Sequence, residues 1–119
     1  MAHILLVDDE EAIVYVFRRY LERAGFQVTA ATNPVAAVAA AGAGAFDLLV
    51  TDYRMPGLSG SELVARLRVA NPGLPALVVT AYGAEVALAE ANVRVMNKPL
   101  SPADLVEAVR QALVQAVAP

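Results

Sequence analysis

At 119 residues, with 58% apolar residues and a formal charge of −3, the chain has the size of one domain, spanning 1–119, that can bury its own core. Its apolar residues are largely Ala and Val in short runs, which excludes a membrane span, and the absence of Cys excludes a disulfide frame or a thiolate site. An acidic balance without clustered Lys and Arg argues against direct nucleic-acid binding. The start Met1-Ala2-His3, with no basic segment or cleavage pattern, points to the cytoplasm.

Short apolar strands alternate with helical patterns along the chain, the signature of βαβ units in a parallel sheet. The first strand is expected near 3–7 and runs out into Asp8-Asp9. A helix over roughly 10–24 follows, with Ile13, Phe17, Tyr20, Leu21 and Ala24 on one face and Gly25 at the C-terminal cap position. The second strand lies near 26–30. Asn33-Pro34 then provides an N-cap with proline in the first turn of a helix whose Ala- and Gly-rich end, 39–45, is weakly defined. The third strand, near 46–51, ends at Asp52 and gives way to Met55-Pro56-Gly57. Ser59 and Glu62 stand at capping-box spacing before a helix carrying Leu63, Leu67 and Ala70, which stops before Asn71-Pro72-Gly73. The fourth strand, near 75–80, ends in Thr80. The fifth, near 92–96, precedes Lys98-Pro99, and a last helix opens at Ser101-Pro102 and buries Leu105, Val109, Ala112 and Ala116.

The same text orders the strands. Ile4–Val7, Leu48–Val50 and Ala76–Val79 are unbroken apolar runs, as expected of strands covered on both faces, whereas 26–29 and 93–95 alternate like edge strands. With right-handed crossovers this predicts a doubly wound, flavodoxin-like α/β fold of order 2-1-3-4-5 with five helices. The switch point falls between the first and third strands. Asp8, Asp9, Asp52, Thr80 and Lys98 therefore share one rim. Carboxylates crowded at that rim suit Mg²⁺, with Asp9 and Asp52 holding the ion and Asp8 acting directly or through water. Asp52 can then attack phosphorus to form an aspartyl phosphate, with Lys98 and the Thr80 hydroxyl meeting phosphoryl oxygens.

In these residues the chain resembles the response-regulator receiver domain of two-component signalling. The resemblance covers nearly all of the chain and rests on Asp8-Asp9, Asp52, Met55-Pro56-Gly57 with Gly60, Thr80-Ala81 and Lys98-Pro99, in order. It implies phosphorylation of Asp52 by a histidine kinase or phosphotransfer protein. It also implies Mg²⁺ at Asp9, Asp52 and the Arg54 carbonyl, movement of Thr80 toward the phosphoryl group, and a cis peptide before Pro99. Signalling would pass to a downstream protein target or an attached output domain. The residues two positions after Asp52 and Thr80, Arg54 and Tyr82, would limit water access to the acyl phosphate.

Blander readings exist for each residue. Alone, Asp8-Asp9 is a helix cap with an acidic first turn, Thr80 an ordinary strand end and Lys98 a solvated charge; the shared rim favours the site. His3, at the far end of the first strand, reads as structural or exposed. Two features depart from the family: Val95 stands where an aromatic often lies, and only 17 residues separate Thr80 from Lys98, about one helical turn fewer than usual. The helix between the fourth and fifth strands should then be short, displaced or irregular. Three other functions are weighed. A phosphohydrolase lacks its Asp-x-Asp pair, a flavin module would not place acids at the first strand's end, and a constitutive scaffold would ignore phosphate.

Overall fold

The computed structural model describes residues 1–81 and 92–117, with side chains to residue 115. Five parallel strands, β1 (His3–Val7), β2 (Gln27–Ala31), β3 (Leu48–Asp52), β4 (Ala76–Thr80) and β5 (Val93–Asn97), form one sheet in the order β2-β1-β3-β4-β5. The expected order holds, with strand boundaries shifted by one or two residues. Four helices lie among the described residues: α1 (Glu11–Arg23), α2 (Pro34–Ala43), α3 (Gly60–Arg68) and α4 (Pro102–Val117). The further helix expected between β4 and β5, and Tyr82 with it, falls in 82–91, outside the described residues.

Strand alternation divides the core in two. Ile4 and Leu6 of β1, Leu48 and Val50 of β3, and Leu77 and Val79 of β4 pack on one face against Val14, Phe17 and Leu21 of α1 and Leu105, Ala108 and Val109 of α4. The alternate residues, Leu5, Val7, Leu49, Ala76 and Val78, meet Ala37 of α2 and Leu63, Val64 and Leu67 of α3 on the other face. Every residue of β3 and β4 is buried, whereas β2 and β5 are partly exposed, as their alternation implies. Each fully buried Leu contributes about 1.5–3 kcal/mol, so the three central strands carry much of the stability.

Local signals set most helix ends. Asn33 Oδ1 accepts from Ala36 N at 2.8 Å, and Ser59 and Glu62 form a reciprocal capping box at 3.0 and 3.1 Å. Ser101 Oγ accepts from Asp104 N at 3.0 Å at the start of α4. Gly25 ends the first helical segment with φ +99°, a conformation glycine adopts without a Cβ penalty. Two expectations about faces are corrected. Tyr20 is 41% exposed, with the Arg23 guanidinium 5.9 Å from its ring, and Val14 takes the buried position instead. Likewise α3 stops at Arg68, leaving Ala70 exposed, while Val64 is buried. Both differences reflect which side of the stripe meets the sheet, which periodicity alone leaves open by about one residue. His3 is structural: its Nε2 lies 2.7 Å from Thr29 Oγ1 and its ring 4.3 Å from that of Phe46.

Candidate functional site

At the carboxyl edge of the sheet, each strand end is held by its own hydrogen bonds. Asp8 N donates to the Ala31 carbonyl at 3.2 Å, and Asp8 Oδ1 accepts from Glu10 N at 2.9 Å, turning the chain into α1. Glu10, rather than either aspartate, occupies the N-cap position of α1 and makes no side-chain cap bond. Asp52 Oδ1 accepts from Tyr53 N at 2.9 Å, which fixes the carboxylate as the chain leaves β3. The following loop turns at Gly57, φ +94°, and returns so closely that Gly60 N donates to the Tyr53 carbonyl at 2.7 Å. A Cβ on Gly60 would collide with the Asp52 carbonyl and lie 3.0 Å from Tyr53 Cα. Glycine is thus required for α3 to begin against the end of β3.

Lys98 is carried in from the other side. Its backbone N donates to the Thr80 carbonyl at 2.8 Å, and the Lys98–Pro99 peptide is cis, as the family resemblance implied. Its Nζ lies 3.2 Å from Asp8 Oδ2, 3.3 Å from Asp52 Oδ1 and 3.7 Å from Glu10 Oε1. Thr80 is fully buried at the end of β4, next in register to the Val79 that pairs with Asp52. Arg54 follows in the loop after Asp52, its side chain exposed.

Asp8, Asp9 and Asp52 each bring a carboxylate oxygen within 4.8 Å of the others. Asp8 and Asp52 are buried and Asp9 is exposed, so the cluster opens to solvent on the Asp9 side. Burial raises the Asp8 carboxyl above its ordinary 3.8, a rise that the Glu10 N–H and Lys98 only partly oppose. Burial also raises Asp52 above 3.8, and the neighbouring Asp8 charge adds to this against the pull of Lys98. For Lys98 burial acts downward, but Asp8 and Asp52 together outweigh it and hold the ammonium above 10.5. Repulsion and desolvation are therefore incompletely compensated by one ammonium. Three hard oxygen donors with surplus negative charge fit a hard divalent cation such as Mg²⁺.

The expected acid cluster thus comes together, with Lys98 against Asp8 and Asp52, and Thr80 lies on the same edge. Glu10 and Gly60 were not foreseen in these roles. The run Asp8-Asp9-Glu10-Glu11 offered the signal for Glu10, but only the start of α1 decides which of the four turns toward Lys98.

A scan against protein-family models matches residues 4–110 to the response regulator receiver domain. The chain is 38% identical over 105 residues to a response regulator receiver protein of Anaeromyxobacter, covering 85% of this chain and 44% of that protein. It is 32% identical over 118 residues to the DNA-binding transcriptional regulator NtrC of Rhizobium meliloti, covering 96% of this chain and 24% of that one. The chain spans less than half the length of these curated relatives. Among solved structures, a CheY-like receiver domain protein from Methanospirillum hungatei superposes with TM-score 0.87 at 28% identity, covering 98% and 96% of the two chains. The response regulator TrrA of Thermotoga maritima, in complex with Mg²⁺ and BeF, superposes with TM-score 0.83 at 28% identity, covering 94% and 99%.

Proposed function

The chain belongs to the response regulator receiver domain family, and on that premise we propose that Asp52 accepts a phosphoryl group from a histidine kinase or phosphotransfer protein. The observation that carries this reading is the position of Asp52: buried at the end of β3, 3.3 Å from the Lys98 ammonium and within 4.8 Å of two further carboxylates. We assign Asp8, Asp9, Asp52 and the Arg54 backbone carbonyl to Mg²⁺. When bound, Mg²⁺ offsets the carboxylate repulsion and neutralises charge on the transferring group.

An Asp52 carboxylate oxygen attacks the phosphorus in line with the donor atom. The new O–P bond forms as the donor–phosphorus bond breaks, and the donor leaves with the electron pair. Lys98, released from its contact with Asp52 as that carboxylate becomes an acyl phosphate, pairs with one phosphoryl oxygen, and the Thr80 hydroxyl donates to another. Little acid–base work is needed, which agrees with a site lacking His and Cys. The chain catalyses only its own phosphorylation and dephosphorylation. Its output is a change in protein contacts with a downstream target or an attached output domain, in the cytoplasm, and 1–119 acts as one receiver unit. No helix of the described residues is long and apolar enough to cross a membrane.

Acetyl phosphate with Mg²⁺ should add one phosphoryl group by intact mass, and Asp52→Asn should add none. Equal labelling of the variant would move the phosphoacceptor elsewhere. Steady turnover of a generic phosphomonoester would instead favour a phosphohydrolase.

A further inference from the structure

Between the C-terminal ends of α2 and α3, the sheet face that carries Leu5 opens into a cavity of about 450 Å³, a volume in the range of small-ligand pockets. Buried Leu5, Leu67 and Leu74 form its floor, and half-buried Val38 and Phe46 its walls. The space has a local origin. The last turns of α2 read Ala39-Ala40-Ala41-Gly42-Ala43, and a Cβ on Gly42 would meet nothing within 4 Å, so no side chain occupies the gap.

Two polar residues stand at the rim, Arg66 in the last turn of α3 and Asn71 just beyond it. Their neighbour Arg68 is committed to structure, donating to the Leu74 carbonyl at 2.9 and 2.7 Å. The Arg66 carbonyl accepts from Val69 N, but its guanidinium has no hydrogen-bond or ion-pair partner among the described residues. The cavity lies at the opposite end of α3 from Gly60, about 13 Å along the helix, and is separate from the acid cluster.

We propose that this cavity binds a small amphiphilic carboxylate, its alkyl or aryl body over Leu5, Leu67 and Leu74 and its carboxylate on the Arg66 guanidinium. A polar ligand such as a sugar or nucleotide would leave its groups unpaired against the apolar floor. The planar guanidinium fork matches a carboxylate through two parallel N–H···O bonds, and the Asn71 amide can add a donor.

Octanoate is the probe, with octanol as its neutral counterpart, each titrated into the protein while amide shifts are followed. Octanoate should give saturable shifts at Val38, Leu67 and Leu74. Arg66→Gln should weaken octanoate at least about tenfold, the contribution expected of a charge-assisted pair, and leave octanol unchanged. Ala41→Leu should fill the space and abolish both. Equal affinity of the protein for octanol and octanoate, shifts that do not saturate or that map elsewhere, or unchanged octanoate affinity in Arg66→Gln would each overturn the proposal. So would octanoate binding to a folded Ala41→Leu variant. If a thermal melt shows that Ala41→Leu is unfolded, Arg66→Gln, at an exposed position, decides by itself.

Discussion

Replacing Lys98 by Met removes the ammonium that lies 3.2, 3.3 and 3.7 Å from Asp8, Asp52 and Glu10 while keeping most of the aliphatic stem. The side chains of Lys98, Asp8 and Asp52 are only 15%, 4% and 10% exposed, so loss of the cation strands two buried carboxylates. Breaking a fully buried pair costs about 3–5 kcal/mol, and the open Asp9 side places this case near 3 kcal/mol at neutral pH without metal. For a domain of this size that is a fall in Tm of roughly 10 °C.

The loss should depend on pH. Asp8 and Asp52 already ionise above 3.8 in the folded chain because of burial, so the unfolded chain releases these protons first, and stability drains away as pH rises from about 4 through the folded values. Without Lys98 those folded values climb further. The gap between variant and parent should therefore widen with pH by up to about 1.4 kcal/mol per unit for each carboxyl and nearly close in acid, where a proton takes the place of the ammonium. Lys98 itself ionises above 10.5 in the folded chain, so it stays charged throughout this window, and its own titration lowers stability only as pH rises through that folded value. Urea denaturation in EDTA near pH 5 and pH 8, then with Mg²⁺, measures all of this, and Mg²⁺ should restore more stability to the variant than it adds to the parent. A variant as stable as its parent at the higher pH, or a gap indifferent to pH, would refute the account of Lys98 as the partner of two buried acids.

Mg²⁺ should stabilise the unsubstituted chain by about 1.4 kcal/mol at ten times Kd, less in Asp9→Asn and less again in acid, because protons compete for the raised Asp8 and Asp52 carboxyls; an unchanged melt at tens of millimolar Mg²⁺ removes the metal site. Gly60→Ala, which drives a methyl into the Asp52 carbonyl, should cost about 1–3 kcal/mol in urea denaturation and slow labelling by acetyl phosphate; parent-like values in both would show that the approach of α3 is not needed. Arg54→Ala should shorten the phosphoryl lifetime, and an unaltered decay rate would end its role as a shield. Beryllofluoride, standing in for the phosphoryl group, should shift amides of 53–60 and Thr80-Ala81 with little change in β5, because Val95 offers no aromatic rotamer to switch; the largest shifts at Val95 and in α4 would reverse that reading.

Periodicity and punctuation in this chain carried the fold class, the strand order and the caps. Apolar runs mark strands buried on both faces, and Asn33, Ser59, Ser101 and Gly25 act through contacts within three or four residues, so local text is enough. It also carried the membership of the acid cluster, because strand ends in a parallel sheet meet at one edge whatever the loops do. Tertiary structure decided the rest. Which acid meets Lys98, 90 residues from Asp8 in the chain, depends on where α1 begins and on the Thr80–Lys98 backbone clamp. Gly60 stands in the sequence only as a member of the motif with Met55-Pro56-Gly57, and its steric role appears once the Asp52 carbonyl is seen to occupy its Cβ position. The Ala–Gly end of α2 likewise reads as a weak helix end, and becomes the wall of a cavity only once α3 lies beside it. In each case the physical content is a close approach between separate elements, which no local pattern encodes.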